Sequence, residues 1–272
     1  MKKVLVIPNS KELLDKVINM KIDGLILPIN NLSVNSTYYL ELKDIKEIIN
    51  KTDKEICILL NKNITNKDLP LLEKTLIELN KLKVSKVLFY DLSVLNICRK
   101  LNLNLELSIF QDHLNASTNS NLFYKRRGVN YTVITNDITL SEINEISRVQ
   151  SLMMECFGYL PIFYSRRYLI TNYLDFINKK KKNALYTIKE KNNSYIIEEE
   201  KEGTTIYTKE PINLINEIDK LKIDYIILNS IHIETNNFIN ILNQYLEKKK
   251  DNKEHYLGFL NEKTVYKVED YE

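Results

Sequence analysis

The chain reads as a single α/β domain: a (β/α)8 barrel of the TIM type, with a small antiparallel β insertion between its seventh and eighth strands. Three observations predict this. Eight short apolar runs recur along the 272 residues, each followed by an amphipathic segment or a gap long enough for a helix. Most runs are continuously apolar rather than alternating, as strands covered on both faces must be. No run is followed by the Gly-rich turn that a nucleotide-binding open sheet would carry.

In chain order the predicted strands are Lys3–Ile7, Gly24–Ile29, Glu55–Leu60, Lys86–Tyr90, Asn104–Ile109, Tyr131–Ile134, Leu152–Cys156 and Tyr225–Leu228. Leu42, Ile45, Ile48 and Ile49 recur at helical spacing after the second strand. Leu69, Leu72, Leu76, Leu79 and Leu82 do so after the third, with Thr65 or Asn66 as the cap. Thr139-Leu140-Ser141-Glu142 is a capping box that opens a short helix. Phe238, Ile241, Leu242 and Tyr245 mark the last helix. Leu185–Ile188, Ser194–Ile197 and Thr204–Tyr207 alternate apolar with polar residues between Asn- and Gly-containing breaks, which predicts the inserted meander. The expected organisation is residues 1–183 for strands one to seven, 184–210 for the insertion, 211–250 for the eighth strand and final helix, and 251–272 for a tail. Tyr256–Phe259 would anchor that tail, and Thr264–Val268 would give it a strand-like end.

With 39 Lys+Arg against 36 Asp+Glu the net charge is +3, which neither demands nor excludes a polyanionic partner. Cys57, Cys98 and Cys156 are far apart, and no CxxC pair exists, so a disulfide framework, a zinc ribbon and a self-contained iron–sulfur site are disfavoured. No metal site is expected: Asp112 and His113 are adjacent and point to opposite faces. No apolar run approaches the ~20 residues of a membrane span, so a cytoplasmic protein in a reducing compartment is expected.

In a barrel, chemistry gathers at the C-terminal strand ends. Asn9, Asn30, Asn61 and Asn136 lie there and read as helix caps. Asp91, Asp112, Asn115 and Glu155 lie there too, and a charge deep at a strand end must be paired or used. After Glu155 the chain turns through Gly158, Tyr159 and Pro161 and delivers Ser165-Arg166-Arg167 to a helix start. That carboxylate, phenol and guanidinium pair would suit an anion pocket; a solvated Arg pair on a loop is the plainer reading. Lys179, Lys180, Lys181 and Lys182 read either as a solvated helix end or as a nucleic-acid contact. Neither His113, His232 nor His255 forms a legible nucleophilic triad with Ser165, and Cys156 reads as core.

The ordered series Asn115, Asn119-Ser120, Arg127-Gly128-Val129, Thr139-Leu140, Glu142-Ile143, then Glu155, Gly158-Tyr159-Leu160-Pro161, Ser165-Arg166-Arg167, Gly203-Thr204 and Gly258-Phe259-Leu260 resembles the collagenase-like peptidases of family U-32. The resemblance implies a barrel fold. It also implies one of two activities: peptidase action on extended substrates, or oxygen-independent hydroxylation of the tRNA wobble uridine to 5-hydroxyuridine, with prephenate as hydroxyl source. Cluster-bearing members carry cysteines that would fall at Pro161 and Tyr168, and this chain has neither. The resemblance therefore implies no cofactor on this chain alone and an iron–sulfur cluster on a cysteine-bearing paralogue. It leaves open a non-catalytic scaffold for that partner, with tRNA and prephenate as further ligands.

Overall fold

A computed structural model describes residues 2–191 and 193–262. Strands β1 (Lys3–Ile7), β2 (Gly24–Pro28), β3 (Glu55–Leu60), β4 (Lys86–Phe89), β5 (Leu107–Phe110), β6 (Tyr131–Val133) and β7 (Ser151–Gly158) alternate with helices α1 (Lys11–Val17), α2 (Leu42–Ile49), α3 (Leu69–Leu82), α4 (Ser93–Lys100), α5 (Thr118–Lys125) and α6 (Leu140–Ile146). The chain then makes β8 (Pro161–Ser165), α7 (Leu169–Phe176), β9 (Leu185–Glu190), β10 (Asn193–Glu200), β11 (Gly203–Tyr207) and β12 (Ile212–Asn213), and ends its described part with β13 (Tyr225–Asn229) and α8 (Thr235–Glu247). Strands β1 to β7 and β13 pair in parallel, and β6 pairs with β7 to close the cylinder. No described helix is long and apolar enough to cross a membrane.

The continuous apolar runs have a direct cause. One side of each strand fills the barrel with Leu5, Ile26, Cys57, Leu88, Val133 and Ile227, while the other packs under the helices as a second, larger apolar layer. Thr139 accepts from the Glu142 N–H, and Glu142 returns the bond, so the expected capping box forms. Helix α3 starts later than Thr65 predicts: Thr65 donates to Asp68 Oδ2 (2.7 Å), and Asp68 is the cap. Strand β5 starts three residues after Asn104, whose N–H goes to Asn80 Oδ1 (2.8 Å) rather than to a ladder.

The N-terminal end of the barrel is closed by a polar plug. Lys86 Nζ donates to Glu55 Oε2 at 2.7 Å and lies over the rings of Tyr131 and Tyr225 at 5.2 and 5.0 Å. Lys3 pairs with the other Glu55 oxygen. Burial works to raise the Glu55 pKa, but hydrogen bonds from Lys3 and Lys86 outweigh it and hold the carboxyl low.

The insertion is larger than the expected meander. Its sheet runs β8-β11-β10-β9, all antiparallel, so Pro161–Ser165, read from sequence as part of a turn, is a fourth strand. Leu160 and Thr208 exchange backbone and side-chain bonds at its base (2.9 and 3.2 Å), where the sheet leaves the barrel and returns. Strand β12 then pairs antiparallel with the end of β7. The anchoring part of the tail forms, with the Leu140 N–H donating to the Leu260 carbonyl at 2.8 Å. Thr264–Val268 lies outside the described residues.

Candidate functional site under the inserted sheet

Side chains alternate across a strand, so the pairing Ile206 with Phe163 and Thr205 with Tyr164 sorts the inserted sheet into two faces. One face carries α7. Its Glu199 carboxylate accepts from the N–H groups of Ile170 (2.8 Å) and Thr171 (3.1 Å) at the helix start, and Lys181 pairs with it at 2.6 Å. Burial works to raise the Glu199 pKa, but these donors bring it down to about 2. The opposite face looks down on the C-terminal mouth of the barrel. Tyr39 Oη donates to Glu200 (2.7 Å), Thr205 Oγ1 to Asn35 (2.7 Å), and Lys62 pairs with Glu202 (3.0 Å). His232 Nε2 lies 3.3 Å from Glu198 Oε2. The insertion is thus a lid fastened to three βα loops by polar contacts.

Beneath the lid is a small chamber of about 20 Å³, with Ile7, Leu59 and Phe110 as its floor and Tyr207 as part of its roof. A wider cleft of about 260 Å³ opens beside it between the β5, β6 and β7 ends and the tail, lined in part by Asn136, Asp137, Ile162 and Phe259. Asp112 and Glu155 line both. Glu155 reaches the interior by regular alternation from Met153, and β7 bulges just after it: Ile227 pairs with Glu155 but Leu228 with Phe157, so Cys156 and Phe157 both turn to the outer core.

The electrostatics of this end are distinctive. Burial raises the Glu155 pKa to about 7; the Asn229 Nδ2 bond to Oε1 (3.0 Å) pulls it back, and Asp112 adds repulsion. Burial raises Asp112 to about 6, with His113 opposing and Asp137 reinforcing the shift. Burial also raises Glu200 to about 7, against the Tyr39 hydrogen bond and with help from Glu198. The Tyr207 phenol is 1% exposed, has no hydrogen-bond partner and is pushed well above its ordinary pKa by burial, so it remains a protonated donor. Such an unsatisfied donor aimed at a cavity beside two titratable acids is an arrangement for a ligand.

Of the sequence-predicted residues, Glu155, Asp112 and Tyr159 meet here. The others do not. Asp91 accepts from the N–H groups of Ser93 (2.8 Å) and Ile64 (3.3 Å) and ties two loops together. Asn115 adopts φ 69° and is buried with both side-chain atoms unpartnered, off the chamber lining. Ser165 lies in the lid sheet and accepts from the Arg167 N–H at 3.2 Å. Arg166 and Arg167 are both exposed at the end of β8; the Arg166 guanidinium acts on the Tyr164 phenol of the mouth-facing side, whereas Arg167 follows Ser165 on the α7 side, its carbonyl accepting from Thr204 Oγ1 at 2.8 Å. Lys179, Lys180 and Lys182 are exposed after α7, whereas Lys181 is held by Glu199. The rim asparagines bridge loops rather than cap helices. Asn9 donates to the Ser230 and Ile233 carbonyls, Asn61 exchanges bonds with Val34, Asn30 reaches Glu41, and Asn136 reaches the Glu155 carbonyl. Tyr207, Glu198 and Glu200 were missed, although strict alternation along β10 and β11 places them on one face.

The three thiols do not fit an iron–sulfur cluster. Cys57 fills the barrel interior, Cys98 and Cys156 lie in the outer layer, and burial pushes all three pKa values up, Cys57 to about 12 and Cys98 to about 11. Among the described residues no group of three or more His, Cys, Asp or Glu could hold a metal ion. Among the described residues no mouth-lining hydroxyl is hydrogen-bonded to a histidine either: Thr135 donates to the Asp112 carbonyl and Thr208 accepts from the Leu160 N–H.

Comparison with known proteins agrees with this architecture. A U32 peptidase of known structure superposes with TM-score 0.56 at 13% identity, over 84% of this chain and 92% of that one. Phosphoribosylanthranilate isomerase from Thermotoga maritima gives 0.53 at 12%, over 91% of this chain and all of that one. These identities speak to the fold alone. The tRNA hydroxylation protein P2 of Bacillus subtilis (strain 168) is 25% identical over 185 residues, 64% of this chain and 60% of the relative. The description of Peptidase family U32 matches residues 8–262, and the chain belongs to that family.

Proposed function

We propose that this chain is one subunit of a tRNA-modification system that hydroxylates the wobble uridine to 5-hydroxyuridine. The observation that carries the reading is the similarity to tRNA hydroxylation protein P2 within a shared family. The mouth is compatible with it. Glu155 at about 7 and Asp112 at about 6 exchange protons near neutrality, where acid–base groups are most effective. Both also line the wider cleft beside the chamber, which has room for a neutral, hydrogen-bonding ring such as a pyrimidine. In this reading the chain binds, orients and moves protons.

The redox chemistry belongs to a cysteine-bearing paralogue, because the thiols here are inert and separated. Prephenate, a dianion, is assigned to that partner too, since a cleft lined by Asp112, Asp137 and Glu155 repels a dicarboxylate. The test is deletion of the gene followed by mass spectrometry of tRNA nucleosides. Loss of 5-hydroxyuridine and its derivatives, restored by the wild-type gene and not by Glu155→Gln, is expected. An unchanged nucleoside profile in the deletion strain removes the proposal.

A further inference from the structure

The lid sorts its charges. Of the acidic residues between Tyr159 and Thr208, Glu198, Glu199, Glu200 and Glu202 are turned inward or paired, with His232, Lys181, Tyr39 and Lys62 respectively. Only Asp175 and Glu190 face solvent, against Arg166, Arg167, Lys179, Lys180, Lys182 and Lys189, and no described ion pair involves any of these six cations. The cations bracket α7. Arg166 and Arg167 precede its first turn, and Lys179 and Lys180 follow its last, about 12 Å further on for eight residues.

Between them the helix buries Ile170 against the sheet and turns aromatic rings the other way. Tyr173 is 62% exposed, Phe176 84% and Tyr168, just before the helix, 47%. Large rings left this open on a monomer mark a contact surface. Flat rings flanked by unpaired cations suit a nucleic-acid strand whose bases are unstacked, since the rings accept bases and the cations accept phosphates. A protein partner would be expected to meet depleted rather than concentrated Lys at such a patch.

We infer that the α7 side of the lid is a binding surface for single-stranded or loop RNA, separate from the chamber under the opposite face. Arg167, Lys179 and Lys180 hold phosphates there, while Tyr173 and Phe176 stack on bases. The choice of a tRNA loop as the RNA rests on the function proposed above; the surface itself rests on its charge sorting and exposed rings.

The test is fluorescence anisotropy with a labelled anticodon stem-loop RNA, titrated over a range of salt, using the full chain with and without its co-expressed paralogue. Wild type should bind with a steep salt dependence. Arg167→Gln with Lys180→Gln should lower the slope of log K against log salt by about 1.4, roughly 0.7 for each cation removed. Tyr173→Ala with Phe176→Ala should weaken binding at least about fivefold while leaving the slope unchanged. All four side chains are exposed, so circular dichroism of each variant should match wild type. Unchanged RNA binding in both double variants overturns the inference. So does retained RNA binding together with loss of a co-purifying protein partner, which would make the patch a protein interface. The two proposals fail separately. Hydroxylation abolished by gene deletion but fully restored by both double variants rejects this surface alone, while salt-dependent binding that these variants weaken, in a strain whose deletion leaves 5-hydroxyuridine intact, rejects the proposed function alone.

Discussion

At the N-terminal end of the barrel Glu55 sits between Lys3 and Lys86, whereas at the C-terminal end Glu155 has only the Asn229 amide and faces Asp112. Both carboxyls project into the same cylinder, yet their energetics have opposite signs. The Glu55 pKa is held low, so its stabilising contribution is present above the unfolded-state value and is lost as pH falls through the folded one. The Glu155 pKa is raised from 4.5 to about 7, so its penalty is absent in acid, grows as pH rises through that window and is complete above it. A barrel able to neutralise a carboxylate with two lysines at one end leaves three carboxyls without a cation at the other. The first arrangement holds the fold together; on the proposed function, the second is tolerated because it is used.

The contrast breaks most sharply at Glu155 itself. Glu155→Gln should lower formation of 5-hydroxyuridine by about a hundredfold or more, the scale of a lost acid–base group. It should also stabilise the fold by up to about 3 kcal/mol near pH 8 and by almost nothing near pH 4, read as denaturant midpoints at the two pH values. A variant that is fully active and no more stable would make Glu155 an ordinary structural carboxylate.

Lys86→Ala is the mirror experiment. It leaves Glu55 buried with one cation fewer and should destabilise by about 3 kcal/mol, while hydroxylation per folded molecule stays at the wild-type level. Gly203→Ala addresses the lid. At φ 140° an added Cβ would fall 2.1 Å from the Ser165 carbonyl oxygen, so the β8–β11 edge must separate. Hydrogen exchange should rise in the lid strands and not in β1 to β7, with a loss of about 2 kcal/mol. The smallest effect is expected of Tyr39→Phe, which removes one fastening bond and should cost about 1 kcal/mol. It should also move the Glu200 titration upward, measurable by carboxyl-resolved NMR.

The barrel was legible because its signal is local. Eight apolar runs, the leucine stripe of α3 and the Thr139–Glu142 box each declare themselves within a few residues, and all three formed. Glu155 and Asp112 were legible for a related reason, since a charge ending an apolar run has few uses. The lid was legible only in part. Pro161–Ser165 follows Gly158 and a proline and is too short to separate from a turn, and its pairing with Gly203–Tyr207 spans some forty residues. Its fastenings join residues still further apart, as Tyr39 to Glu200 and Asn35 to Thr205 do, and no local pattern encodes them. The same gap hid the separation of Arg167 from Arg166: with β8 unrecognised, nothing indicated that alternation would send the two to opposite sides of the lid. The rim asparagines bridge neighbouring loops for an equally non-local reason.

The extra residue in β7 has a consequence for how this protein family could diversify. By turning Cys156 and Phe157 outward together, it lets the inward position at Glu155 stand apart from the packing that secures α8. A lineage could exchange that one side chain for another reagent without reshaping the wall behind it. The cylinder would then act as a mould into which different reactive groups are cast, while its outer contour is inherited intact.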